Sequence, residues 1–440
     1  MTATAQAGVR YALAMLFLIN FLNFFDRAIP AVVLEPIRKE FNLDDTWLGL
    51  LGTSFTLIYA LAGLPLGRLS DKMRRTWVLS GGVFVWSLLT AASGAAWNFV
   101  SFFLIRLGVG VGEASCAPAS NSMIGDMYPS QQRARALGLF MLGLPLGQLA
   151  SFALVGYLAQ LYGWRMPFYI AAVPGLVIAL LVLTLPEPIR GSQEGYKVDA
   201  TAPIDRPYRR ILTCPTLWWI IFSGATVNFA AYAMGTFLPS LMIRYHDVNV
   251  AQAGLVSAVV LGVTGLVGLC LGGALADKLH TAFPRGRLLL GAGCMLVAAP
   301  LLWLGFTRPA GEVVTTTVLL SAGWLLYFMY FVTVYPALQD VVDARLRATA
   351  MAVYFFFQYV LGAGFGTVVT GIVSDFYAKQ AMLAAGAAET SAAFRAIGLQ
   401  SSLSLVIPLA ILLTGVALWL AARRFVADAA RVGADAVAVG

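Results

Sequence analysis

The chain has 440 residues, 60% of them hydrophobic and only 11% charged, with a mean hydropathy of +0.81 and a net charge of +8. Soluble globular chains carry about 25% charged residues, so a chain this apolar cannot cover its own surface in water. The apolar residues run in blocks long enough to cross a hydrocarbon layer as helices, without the alternation of barrel strands, and this leaves a helical membrane protein.

In chain order, crossings are predicted over 11–34, 46–69, 77–95, 99–121, 135–160 and 166–185, then over 215–241, 250–275, 287–306, 313–337, 348–372 and 402–422. Only Arg10 precedes the first block, which is too long for a signal-peptide core, so it is read as a retained helix. The pattern is an all-α membrane protein of twelve helices in two six-helix bundles. Residues 1–185 form the first bundle, 186–214 a linker, 215–425 the second bundle and 426–440 a tail. Pro186, Pro188, Pro203 and Pro207, set among charged residues, mark the linker. Of the 29 basic residues, 19 fall on the side holding both termini and the linker and 7 on the other, which predicts cytoplasmic termini in an inner or plasma membrane.

Two patterns recur at about half the chain length. Gly67-x-x-x-Asp71-Lys72 returns as Gly273-x-x-x-Asp277-Lys278, 206 residues on. Asp126…Arg133-Ala134-x-Ala136 returns as Asp340…Arg347-Ala348-x-Ala350, 214 residues on. Internal repeats of this kind build many secondary transporters, with the substrate site at their interface near the bilayer midplane.

The block Gly67-Arg68-Leu69-Ser70-Asp71-Lys72-Met73-Arg74-Arg75 resembles the loop after helix two of the major facilitator superfamily, with Met73 where a glycine is usual. Asn23-Phe24-Phe25-Asp26-Arg27, Gly110-Val111-Gly112-Glu113-Ala114, Asp126-Met127-Tyr128-Pro129 and Gly163-Trp164-Arg165 are similar to its bacterial spinster-like branch. The resemblance spans about residues 11–425. It implies two bundles rocking around a central cavity, proton-coupled transport and lysolipid-like, sphingoid or other amphipathic cargo. It also implies that Gly67, Asp71, Lys72, Arg74, Arg75, Arg133, Asp277, Lys278 and Arg347 latch the cytoplasmic side, the basic residues after helix two pairing with the facing half. The anion:cation symporter branch also carries an Asp-Arg pair in helix one and an arginine in helix four, so a proton-linked carboxylate importer is the alternative.

Charges inside a bilayer cost about 2.5 kcal/mol or more each and mark pathways. Asp26, Arg27, Arg106 and Glu113 stand out. Arg106 and Glu113, seven apart, share nearly one face of helix four, and depth permits an Asp26–Arg106 ion pair. Either the four charges knit helices one and four together, or a carboxylate, Glu113 first, takes a proton while Arg106 and Asp26 assist. Arg27 either pairs structurally or binds an anionic group. Asn228, Tyr232, Trp324, Tyr327, Tyr330, Tyr354 and Gln358 are candidates to line the cavity, although aromatic residues also serve as ordinary core.

Other signals lead to bland readings. Cys116, Cys214, Cys270 and Cys294 form no C-x-x-C pair and read as small hydrophobes, while His246 and His280 sit in predicted loops. No cofactor or metal is expected, and no histidine relay. Gly108-x-Gly110-x-Gly112 follows no strand and reads as helix packing, and Gly143-x-Pro145-x-Gly147 reads as a flexing helix. A membrane-embedded enzyme would need a nucleophile, base or metal constellation, and none is apparent. The repeat disfavours a passive channel. The expected partners are a small-molecule or lipid-like substrate, protons and the bilayer, with no nucleic acid, and the expected working form is a monomer.

Overall fold

The computed structural model describes residues 3–128, 130–189, 211–342 and 346–439, and among these there is no strand. Eleven helices are long and apolar enough to cross a membrane, and Met166–Val182 is a shorter apolar helix, which together match the twelve predicted crossings. In the first half of the sequence the helical elements, some of which join end to end into one crossing, are α1 (Ala3–Val32), α2 (Leu34–Phe41), α3 (Asp45–Lys72), α4 (Arg75–Gly94), α5 (Phe99–Glu113), α6 (Cys116–Met127), α7 (Ser130–Met141), α8 (Gly143–Tyr162) and α9 (Met166–Val182). The second half holds α10 (Pro215–Tyr245), α11 (Val250–Ser257), α12 (Thr264–Ala282), α13 (Gly286–Phe306), α14 (Val313–Asp340), α15 (Arg347–Phe357), α16 (Gly364–Ala384) and α17 (Ala392–Val439). Two π-helical turns, Ala258–Val263 and Gln358–Ala363, lie between α11 and α12 and between α15 and α16.

The helices overrun the apolar blocks. α17 continues to Val439, through the stretch read as a tail, and α12 takes in His280, expected in a loop. Polar residues at a helix end lie outside the hydrocarbon signal that hydropathy detects, while the backbone ladder continues through them.

The contacts divide into two compact units, each of which takes in one stretch from the other half of the sequence. Unit 1 includes Val248–Ala258, and unit 2 includes Asp44–Thr53.

In unit 1, Leu16, Ile19, Val83, Trp86, Val109, Met123, Phe140 and Val182 build a core from most of its helices. α8 approaches so closely that a Cβ on Gly143 would stand 2.8 Å from the Phe21 nitrogen of α1, which explains the glycines of the 143–147 motif. Two charged clusters tie off helix ends. Arg75 is sealed at 1% exposure: its Nε donates to Glu187 at 2.9 Å and its Nη2 to the Pro188 carbonyl at 2.7 Å, while Nη1 takes Asp126 and Ser122. Burial pushes the Glu187 carboxyl up, but hydrogen bonds from Arg75 and Thr76 outweigh it and hold the group below the usual carboxylate range. At the other ends of the helices, Arg165 grips Glu40 with both Nη atoms at 2.8 and 2.6 Å, and Trp164 Nε1 adds a third bond at 2.6 Å. The Arg165 bonds are the main reason the Glu40 carboxyl is held low.

In unit 2, α10 packs along α17, and α13 against α14 and α17. The start of α3 is clamped here by groups far away in sequence. Arg244 Nη1 donates to Asp45 at 2.8 Å and Ser374 Oγ to the same carboxylate at 2.6 Å. Asp375 accepts the backbone nitrogens of Asp45 and Thr46 at 3.1 and 2.8 Å and caps α3. The Arg244 and Asp45 side chains are 4% and 3% exposed, so neither charge has water to fall back on. Removing one buried partner costs about 3–5 kcal/mol, because the other charge is left uncompensated. Arg244→Ala should therefore lower the thermal unfolding temperature in detergent markedly. The double variant Asp45→Leu/Arg244→Met should recover most of the loss.

Candidate functional site

Unit 1 carries the four charges that the sequence places inside the crossings. Asn23, Asp26 and Arg27 fall within about one turn of α1, and Arg106 and Glu113 lie two turns apart on α5. Asp26, Arg106 and Glu113 are 2%, 3% and 0% exposed. Arg27 Nε donates to Glu113 Oε2 at 2.6 Å, and its guanidinium lies 4.1 Å from the Tyr59 ring centre with Phe24 and Phe55 beside it. Arg106 sits over the opposite part of this aromatic group, 5.4 Å from Phe55. Asp26 accepts a long bond of 3.4 Å from Thr90 Oγ1.

The ion pair expected between Asp26 and Arg106 does not close; Arg27 with Glu113 is the close pair. Neighbouring residues of a helix point about 100° apart, so Asp26 and Arg27 cannot both face the same carboxylate or guanidinium of α5. The longer arginine makes the crossing. Asp26 and Arg106 still feel each other's charge, with Trp86 close to Asp26 and Asn23 close to Glu113.

The cluster is not saturated. Asn23 Nδ2, Asp26 Oδ1, Trp86 Nε1, Arg106 Nη1 and Glu113 Oε1 are buried without a hydrogen-bond partner. Each buried polar group left unmade costs about 1–3 kcal/mol, and more when charged. Tyr59, Phe55, Trp86 and Thr90 were not singled out in the sequence; Trp86 and Thr90, four apart on α4, are the signal that could have found the last two.

Unit 2 offers a different surface. Trp324 and Tyr327 stack with centroids 4.2 Å apart and planes 12° from parallel. Ser223 Oγ, Tyr330 Oη and Tyr354 Oη form a chain at 2.8 and 3.0 Å. Tyr335, missed in the sequence, packs edge-on against Tyr354. Asn228 Nδ2 donates to the Gln358 carbonyl at 3.0 Å. Tyr232 lies near Tyr327, which completes the gathering of the seven sequence-derived cavity candidates in one region of unit 2.

The loop candidates are scattered. Gly67 comes close to Pro118, Lys72 and Lys278 are exposed, and Arg74 lies over Trp77 at 5.4 Å. Arg75, expected to reach the facing half, is instead engaged inside unit 1, because its guanidinium has four acceptors within reach, Glu187, the Pro188 carbonyl, Asp126 and Ser122. The side chains of Asp71, Arg133, Asp277 and Arg347 lie outside the described residues. Among the described residues no group of three His, Cys, Asp or Glu could hold a metal ion.

The sequence profile of the Major Facilitator Superfamily matches residues 16–367. The chain belongs to this superfamily. An MFS-type efflux pump of Mycolicibacterium smegmatis is 30% identical over 368 residues, 83% of this chain and 84% of the pump. Protein spinster homolog 3 of Mus musculus is 28% identical, with 83% of this chain and 74% of that one covered. The hexuronate transporter of Bacillus subtilis is 26% identical over 82% of this chain and 86% of its own. The crystal structure of a bacterial homolog of the human lysosomal transporter spinster, inward-facing and unoccupied, superimposes with a TM-score of 0.85 at 28% identity, covering 96% of this chain and 98% of that one. This is a multi-pass membrane protein of the spinster-like type and a secondary transporter of small organic solutes, not an enzyme.

The aromatic seat makes Arg27 more than a point charge. Lysine keeps the charge but loses the planar fork and much of the contact with Tyr59, a difference of about 0.5–2 kcal/mol. Arg27→Lys should slow initial uptake into proteoliposomes while folding is kept. Tyr59→Phe, which retains the ring face, should stay near the parent rate, and Tyr59→Leu should resemble Arg27→Lys.

Proposed function

We propose that the protein is a proton-coupled transporter of amphipathic organic anions, working by alternating access in an inner or plasma membrane with both termini cytoplasmic. The observation that carries this reading is the Arg27–Glu113 pair, close on one side and unspent on the other, with Oε1 of Glu113 buried and unbonded. With Asp26 and Glu113 ionised, the four charges of the cluster sum to zero. A proton on Glu113 weakens its hold on Arg27 and leaves the cluster with one positive charge in excess, which an anionic solute can neutralise. Proton and anion then favour each other's binding, as symport requires. Asp26 and Arg106 set the field in which this happens.

The solute class follows from which donors remain. A site rejects a polyhydroxylated ligand when its own polar groups offer no exchange for the hydration the ligand gives up. The hydroxyls of Ser223, Tyr330 and Tyr354 are spent on one another, and beside them Trp324 and Tyr327 stack their rings, both buried in this state. An apolar or aromatic body suits such a surface better than a sugar acid does. Similarity to the hexuronate transporter supports the alternative, a proton-linked carboxylate importer, in which Arg27 or Arg106 takes a small acid and the tyrosines open to it. Under either reading, the loop around Gly67, Asp71, Lys72 and Arg74, with Arg133 and its echo at Asp277, Lys278 and Arg347, is proposed as the cytoplasmic gate.

Two measurements test the proposal. Glu113→Gln should abolish uptake driven by a pH gradient yet leave solute exchange partly intact; unchanged gradient-driven uptake would overturn the assignment of the proton. Thermal shift of the purified protein against lysolipids, sphingoid bases, aromatic acids and sugar acids decides the solute. A ligand at a hundredfold excess over its Kd stabilises by about 2.7 kcal/mol. Stabilisation by anionic lysolipids or aromatic acids, and not by sphingoid bases or head-group-scrambled controls, is the expected result, and stabilisation by sugar acids alone would favour the importer.

A further inference from the structure

The helix that carries Tyr354 and Gln358 is not continuous. α15 opens into the π turn Gln358–Ala363 before resuming as α16. A π turn accommodates one residue more than an α turn, so everything beyond it is rotated by about 100° from where an unbroken helix would put it. Such turns need external support, because they bond their own carbonyls less well. Here the support comes from α10. Asn228 Nδ2 donates to the carbonyl of Gln358, the first residue of the turn, at 3.0 Å, and both residues are buried. The two helices approach closely at this point: a Cβ on Gly362, inside the turn, would lie 2.9 Å from Asn228 Cβ and 2.5 Å from the Ala225 carbonyl. One turn away, Gly224 seats the ring of Tyr354, where a Cβ would meet Cε2 at 2.5 Å.

The rotation has consequences on both sides of the turn. Before it, Tyr354 reaches Tyr330, and the side chain of Gln358 lies near Tyr335. Beyond it, Thr367 Oγ1 meets Thr53 at 2.9 Å, and Ser374 and Asp375 meet Asp45 and Thr46. A single α-helical register cannot serve both sets, since correcting one rotates the other away. The feature is also repeated within the chain. The second π turn, Ala258–Val263, contains Val260-Leu261-Gly262, as Gln358–Ala363 contains Val360-Leu361-Gly362.

We infer that Asn228 is a positioning residue rather than a solute contact: its amide holds the π turn at Gln358–Ala363, and the turn sets which side chains of that helix face the solute and which bind the start of α3. The inference rests on the proposed function only in taking Tyr354 and Gln358 as solute-facing. Its test therefore needs a readout free of any solute. Single cysteines placed along 351–375 in a cysteine-free background, labelled in membranes with an impermeant maleimide, should show accessible positions before and after the turn out of phase by about 100°. Asn228→Asp is isosteric but, when ionised, cannot donate, and it should bring the two phases together, as should Asn228→Ala. Deleting Val360 should do the same by removing the extra residue. In parallel, thermal shift with lysophosphatidylcholine and with galacturonate should change in ratio rather than weaken evenly. A labelling phase identical to the parent in Asn228→Asp, whatever either probe does, would overturn the inference. Probe failure with the phase shifted would count against the proposed solute class alone.

Discussion

The bond between Arg27 and Glu113 is the constraint on which the rest of unit 1 depends. In hydrocarbon there is no water to take over an unpaired charge, so every ionised group must be held by protein or lose its charge. Arg27 meets this with a carboxylate at 2.6 Å in the plane of its guanidinium and the rings of Phe24, Phe55 and Tyr59 against its face. Arg106 and Asp26 remain in partial debt, near enough to sense each other and too far to settle. A cluster in that condition responds strongly to one added proton, because nothing else nearby compensates.

The charge clusters that do settle are elsewhere, and they differ in kind. Arg75, Glu187 and Asp126 pin the exit of the first six crossings onto α4 and α6, and Asp45, Arg244, Ser374 and Asp375 pin the start of α3. Each of these groups finds most of its partners among backbone termini and fixed side chains. They behave as fasteners. Asn23, Asp26, Trp86, Arg106 and Glu113 each bury a polar atom without a hydrogen-bond partner, but so does Asp45 at Oδ1, so what distinguishes the first group is its place well inside the apolar crossings, where charge is costly.

Much of this could be read from the residues. Twelve crossings are visible because hydropathy reports the hydrocarbon layer directly, and Asp26, Arg27, Arg106 and Glu113 are visible because charge inside such a block is rare. Partner choice is not visible in the same way. Whether Asp26 or Arg27 reaches α5 depends on a rotation of about 100°, which spacing within one helix does not report. Arg75 sits in a recognisable motif, but a motif records where a residue lies and not which acceptors surround it. The clamp on Asp45 joins residues nearly 200 and 330 positions apart, each of which looks by itself like an ordinary charge at a helix end. The π turns have no compositional signature at all, since the same Val-Leu-Gly suits an α-helix.

The two units therefore answer separate physical questions. Under the proposed function, unit 1 places charge where charge is expensive, which is the chemistry of coupling. Unit 2 spends the hydroxyls of Ser223, Tyr330 and Tyr354 internally and stacks Trp324 on Tyr327 inside the protein, ring faces that would meet an apolar body at little desolvation cost. On that proposal, the proton acts on the charges of unit 1 and the body of the solute on the rings of unit 2, so solute preference would drift through Trp324, Tyr327 and their neighbours without a change in the charged cluster. The charged residues stand out in this sequence because charge inside an apolar block is rare, whereas stacked rings occur in any core and do not by themselves announce a cargo.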